Sequence, residues 1–171
     1  MGKEKQPEVG VTPWHEIRKH GVYDLEKLYH ALKEELKSTG YSFREKDVTD
    51  KTDPGAREHK IIWTAERNVD AYVKFLIDIE FWIWRGVNVI VEEDGRRRKM
   101  QKGDFTIRIK SKFKKNWNNS FGSSGFQEFL RQVYEKYAIK QRLINYESKL
   151  WNETYRLIDL IREILELPRR K

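Results

Sequence analysis

Residues 71–84 read AYVKFLIDIEFWIW and alternate almost without fault. Ala71, Val73, Phe75, Ile77, Ile79, Phe81 and Ile83 fall on one side, and Tyr72, Lys74, Leu76, Asp78, Glu80, Trp82 and Trp84 on the other. Successive strand side chains point to opposite faces, so this period of two predicts a β-strand with one wholly apolar side. Further along the chain, VNVIVEE (87–93), RRRKM (96–100) and FTIRIKSKF (105–113) continue as a meander. Asp94-Gly95 and Lys102-Gly103 both suit two-residue hairpin turns. Earlier in the chain, YSFREKDV (41–48) and HKIIWTAER (59–67) read as two more strands around the turn-rich TDKTDPGA. The expected sheet is antiparallel, with five to six strands.

Helical spacing brackets this sheet. Leu25, Leu28, Tyr29, Leu32 and Leu36 recur on one face, with Asp24 as cap and Gly40 as stop. Upstream, TPWHEIRKHG (12–21) predicts a short helix, with Thr12 as cap, Pro13 at the first position and Gly21 at the end. Residues 1–11 read as a polar tail. Near the other end, Ser124 and Gln127 form a capping box that opens a helical region running to Leu167, where Pro168 stops it. One continuous helix of about 42 residues would span roughly 63 Å, longer than such a domain. A break between Ala138 and Gln141, or a protruding dimer helix, is therefore expected. The fold class is α+β, with one domain over residues 22–171 and a helical layer on one sheet face. Residues 1–21 are expected to be a flexible tail with a short helix.

The chain has 171 residues, 38% hydrophobic and 36% charged, which suits one folded domain. It has no cysteine and a net charge of +8, which excludes disulfide and thiolate chemistry and points toward polyanionic partners. No apolar run reaches the roughly 18 residues of a membrane span, and MGKEKQPEVG has no hydrophobic signal core. The expectation is a soluble cytoplasmic protein without membrane association.

Catalytic patterns fail on spacing. His15-Glu16 followed by His20 imitates the zinc-protease motif HExxH, but the second His lies at i+5, about 140° around a helix. No phosphate loop, nucleophile elbow or dinucleotide fingerprint occurs. The expectation is a non-enzymatic protein without cofactor or metal.

The cations carry the functional reading. Placing the second hairpin at Lys102-Gly103 pairs Met100 with Phe105 and Arg97 with Arg108. It also collects Arg97, Lys99, Arg108, Lys110, Lys112 and Lys114 on one face. Residues two apart on a strand are separated by about 6.6 Å, close to the phosphate spacing of an extended nucleic-acid strand. Lys115 and Trp117, in the Asn-rich loop beyond them, extend this candidate nucleic-acid surface. The competing reading is an ordinary solvated sheet face, where Lys and Arg also discourage edge-to-edge association. The like-charge pair Arg97–Arg108 favours an external anion. Trp82 and Trp84, with Trp151 and Tyr155, read as a protein interface in preference to base-stacking residues.

YDLEKLYHALKEEL, GYSFREK and VDAYVKFLIDIEFWI together resemble a family of small, uncharacterised archaeal proteins. Within that setting a basic, dimer-prone chain is similar in kind to ribosome-associated stress factors, including the archaeal factor that pairs small ribosomal subunits. The resemblance implies RNA or a ribosomal subunit as partner, with self-association. A protein-interaction module stands as the alternative, and a small hydrophobic-ligand carrier as a third reading.

Overall fold

The computed structural model describes residues 7–50 and 58–168, with the backbone alone for 47–50 and 58. Two long strands, β4 (Val73–Glu93) and β5 (Arg96–Lys115), form its spine. They turn at Asp94-Gly95, where both residues have positive φ, 51° and 74°. That conformation matches the right-handed twist of the flanking strands. Glu92 lies opposite Arg97 and Glu93 opposite Arg96, as the sequence predicts.

The second expected turn does not exist. Lys102 and Gly103 lie inside β5, with Lys102 opposite Val87, Asp104 opposite Trp84 and Phe105 opposite Ile83. Two long strands thus replace four short ones. With β1 (Glu8–Tyr23), β2 (Ser42–Asp50) and β3 (Glu58–Asn68), they make a five-stranded antiparallel sheet in the order β1-β5-β4-β3-β2.

Gly103 serves a close approach rather than a turn. Between the two pairs that flank it, β4 advances from Trp84 to Val87 while β5 advances only from Lys102 to Asp104, so β4 carries a bulge. A Cβ on Gly103 would stand 2.9 Å from the Trp84 carbonyl oxygen and 3.0 Å from that of Arg85. Arg85, the bulged residue, holds a left-handed φ of 52°.

β1 replaces the expected tail and short helix over residues 8–21. It runs along the edge of the sheet, from Glu8 opposite Lys114 to Tyr23 opposite Gln101. Pro13 falls within the register shift between Thr12 and His15, so its missing N–H deletes no ladder bond. Edge strands and bulges are where a strand tolerates proline.

The first long helix, α1 (Leu25–Ser38), begins where expected: the Asp24 carboxylate accepts from the Lys27 amide at 2.9 Å. The Ser124–Gln127 capping box opens α2 (Gly125–Val133) with both reciprocal bonds in place. A π-helical turn, Tyr134–Ala138, comes next, and Ile139 leaves helical geometry at φ −122° before α3 (Lys140–Ile164). The break therefore falls within the expected interval.

Helices α1 and α3 cover one sheet face. Leu28, Leu32 and Leu36 meet Leu150, Leu157, Ile158 and Ile161 in one core with Trp63, Phe75, Ile77, Ile79, Phe81, Ile107 and Ile109. Tyr29 stands edge-on to Phe81 at 4.7 Å, and Tyr146 edge-on to Phe75 at 6.0 Å. At one end of this layer Arg67 donates twice to Glu153, at 2.8 and 2.9 Å, and the Tyr41 hydroxyl donates to the same carboxylate at 2.6 Å. Burial, and then the hydrogen bond to Glu153, push the Tyr41 hydroxyl far above its ordinary range. No helix among the described residues crosses the opposite face.

Candidate nucleic-acid interface

The open face is built by alternation. Arg108, Lys110, Lys112 and Lys114 project from β5 as a ladder, and neighbouring strands place carboxylates beside each of them. Arg108 lies 3.8 Å from Glu16 and 3.7 Å from Glu80, and Lys110 lies 3.8 Å from Asp78. Glu8 at the sheet edge holds Lys112 at 2.7 Å and Lys114 at 3.4 Å. Partial burial opposes charge on Glu8, but hydrogen bonds and the positive charge of Lys112 and Lys114 outweigh it and hold the carboxyl below its ordinary range. Lys115 faces the helical side and pairs with Glu135 at 2.5 Å.

The expected six-cation face is therefore split. Arg97 lies opposite Glu92, not Arg108, and about 36 Å of strand separates the two arginines at roughly 3.3 Å per residue. Arg97 and Lys99 are exposed near the tip of the ribbon that β4 and β5 extend beyond their other partners. Trp117 is pinned by structure: its ring nitrogen donates to the Asp70 carbonyl at 2.9 Å, and Lys74 lies over the ring at 4.8 Å.

The expected aromatic interface is also split. Trp151 and Tyr155 lie together on α3 with ring centroids 4.6 Å apart and planes tilted by 32°, and Tyr155 meets His15 of β1 at 5.3 Å on the helical side. Trp82 and Trp84 stand on the open face, stacked at 5.8 Å with 22° between their planes. His20, on that face, hydrogen-bonds Asp104 at 2.5 Å. The HExxH-like residues thus belong to a strand and are divided between its two sides. Among the described residues, no group of three His, Asp or Glu side chains converges as a cation site.

A groove of about 630 Å³ runs beside the tryptophan pair, bordered by Arg18, His20, Arg85, Thr106 and Arg108. Lys60 covers the far side of Trp82 at 4.1 Å, and the Trp82 ring nitrogen donates to Glu80 at 3.2 Å. These contacts fix the ring while the groove remains open. No family model matches the chain, nor does any curated protein or solved structure.

Two guanidinium groups border the groove, Arg108 at the end of the ladder and Arg85 outside it. Arg108 Nε is buried without a hydrogen-bond partner, 3.8 Å from Glu16, while its Nη1 lies 3.7 Å from Glu80, both beyond hydrogen-bonding range but within ion-pair range. Trp14 lies 4.8 Å from the Arg108 guanidinium carbon, which holds the side chain in place. Arg85 is exposed and has no ion-pair partner among the described residues, and the bulge fixes its position. Bulges re-aim side chains, and a non-glycine residue held in the left-handed region stores strain of a kind that clusters at ligand sites. Sequence reasoning missed Arg85 because it left residues 85–86 as the gap between two strands. The Arg85-Gly86 step was the available signal.

No helix among the described residues is long and apolar enough to cross a membrane.

Proposed function

We propose that the chain binds single-stranded RNA on the open sheet face, with an unpaired base stacking on Trp84, which Trp82 backs, and phosphates held by Arg85 and Arg108. The observation that carries this reading is the stacked tryptophan pair bordered by Arg85, exposed and without an ion-pair partner among the described residues, and by Arg108, whose Nε has no hydrogen-bond partner. Each base stacked on an aromatic ring contributes about 1–3 kcal/mol, and bases of any sequence present a ring face. Arginine guanidinium groups suit phosphate oxygens through their planar fork of donors. The exposed cations at the ribbon tip, Arg97 and Lys99, supply further backbone contacts. The balanced ladder of Lys110, Lys112 and Lys114 contributes less than its charge suggests, because each cation already faces a carboxylate.

Unpaired loops of ribosomal RNA belong to this substrate class, so a ribosomal subunit is the proposed cellular partner. The activity is binding without chemistry, and the site calls for no cofactor.

Anisotropy titrations with a short fluorescent single-stranded RNA test this reading. Trp84→Ala should weaken binding by about 5- to 150-fold, the equivalent of one stacked base. Arg85→Ala should reduce the dependence of log K on log salt by about 0.7, the loss of one phosphate contact on a single strand. Wild-type protein that shows no salt-sensitive RNA binding and does not co-sediment with ribosomal particles overturns the proposal.

A further inference from the structure

Helix α2 presents an apolar stripe that nothing in the described chain covers. Phe126, Phe129, Leu130 and Val133 recur at helical spacing, and Tyr137 continues the row through the π-helical turn. Their exposures are 70, 59, 41, 38 and 73%. A soluble helix ordinarily turns such a stripe inward. Here α2 buries none of its residues. With nine residues it is also shorter than the roughly 12–15 at which an isolated helix becomes even marginal in water. Its capping box stabilises the first turn, but the amphipathic face still needs a surface to pack on.

We infer that this stripe is the contact between two copies of the chain, packed antiparallel about a twofold axis. The segments outside the described residues, MGKEKQ, KTDPGAR and RRK, carry almost no apolar side chains, so they offer nothing to fill it. The surface matches the core of a dimer contact. At roughly 200 Å² per aromatic side chain, the three exposed rings present about 400 Å². Leu130 and Val133, 41 and 38% exposed, add to this. A standard interface takes about 800 Å² from each partner, with an apolar centre inside a polar rim.

Charge placement selects a second copy over an anionic membrane. Gln127 and Gln132 flank the stripe, while Glu128 and Arg131 pair with each other on the far side of the helix. A helix that lies on anionic lipid carries a polar face rich in Lys and Arg, which this one lacks. Centring the antiparallel pair between residues 129 and 130 sets Phe126 against Val133 of the other copy and Phe129 against Leu130. Each copy offers the same patch to the other, which is the condition for a closed dimer.

Light scattering and sedimentation equilibrium on the full chain test the inference. Wild type should have the mass of a dimer, and Phe126→Glu/Phe129→Glu that of a monomer with an unchanged sheet signature in circular dichroism. Because the chain has no cysteine, Leu130→Cys should cross-link to a covalent dimer under mild oxidation, whereas Lys46→Cys on the exposed β2 should not. A monomeric wild type at hundreds of micromolar overturns the inference, as does a dimer that survives the double substitution. Flotation of wild type with anionic vesicles that the double substitution abolishes would assign the stripe to lipid instead. All of these readouts are independent of RNA, so the dimer and the tryptophan groove can fail separately.

Discussion

Gly103→Ala probes the bulge and the groove together. The added Cβ would meet three backbone atoms: the Trp84 carbonyl oxygen at 2.9 Å, the Arg85 carbonyl oxygen at 3.0 Å and the Gly86 Cα at 3.1 Å. Backbone cannot swing aside as the end of a flexible side chain can, so relief requires β4 to move away from β5 at the bulge. Overpacking of this kind costs about 1–3 kcal/mol, and three simultaneous backbone contacts place the expected loss in the upper half of that range. For a chain of this length each kcal/mol corresponds to about 2–4 °C in Tm, which gives a fall of roughly 5–10 °C by differential scanning calorimetry. Gly10→Ala is the matched control, since nothing lies within 4 Å of its Cβ position. Its expected effect is a gain of about 0.4–1 kcal/mol from a less flexible unfolded chain. At a temperature where both variants are folded, Gly103→Ala should also bind single-stranded RNA more weakly, because Arg85 is displaced. A Gly103→Ala protein that melts within about 1 °C of wild type would show that the strands part without strain, and the account of the bulge would be wrong.

Two further outcomes concern the ion pairs. Glu153→Gln removes the charge that Arg67 and Tyr41 share, leaving a cation with 16% side-chain exposure unopposed; the expected loss is about 2–4 kcal/mol in urea unfolding, below the fully buried case because some solvent remains. Glu8 and Glu66 are both held below the ordinary carboxylate range: burial works against charge at each, but Lys112 and Lys114 at Glu8, and Arg44 and Lys74 at Glu66, prevail. A depressed carboxylate adds stability that is complete above its unfolded pKa of about 4.3 and disappears as pH falls through the folded value. Glu8→Gln/Glu66→Gln should therefore lower stability at neutral pH and flatten its decline on acidification, as read by melting temperature across the acidic range.

Local rules carried most of the fold. The alternation over residues 71–84 identified the buried side of β4, with Val73, Phe75, Ile77, Ile79 and Phe81 all in the core. The Asp24 cap, the Ser124–Gln127 box and the Asp94-Gly95 turn were equally readable, because each is a complete short-range hydrogen-bonding or dihedral requirement. The failures came where the same residue types answer a tertiary demand. Thr12, Pro13 and Gly21 imitate the cap, first turn and stop of a helix, yet β5 supplies a partner along nearly its whole length, and pairing with it prevails over local propensity. Lys102-Gly103 imitates a hairpin turn, yet its glycine answers the approach of another backbone, a meaning that glycine within a strand also carries.

The same misplaced turn accounts for the site. A hairpin at Lys102-Gly103 folds Arg97 back onto Arg108 and manufactures a cation ladder, whereas the continuous strand sets the two arginines far apart and lets β1 and β4 deliver carboxylates to the remaining lysines. Trp82 and Trp84 were placed correctly on the face away from the core, but their neighbours Arg18, His20 and Arg108 come from strands whose pairing only the fold reveals. Arg85 depends on a bulge, which has no signature in period-two alternation.

The π-helical turn at Tyr134–Ala138 carries a consequence for how this surface can change. Such a turn contains a residue more than an α-helical turn, and each residue advances a helix by about 100°. Deleting a single residue between Tyr134 and Ala138 removes that extra residue and lets the turn close as an α-turn, with Phe126, Phe129 and Val133 keeping their heading, whereas a deletion inside α2 turns the residues before it by about 100° relative to those after it. The turn is thus the one place in this helical region where chain length can change by a residue without redirecting the apolar row.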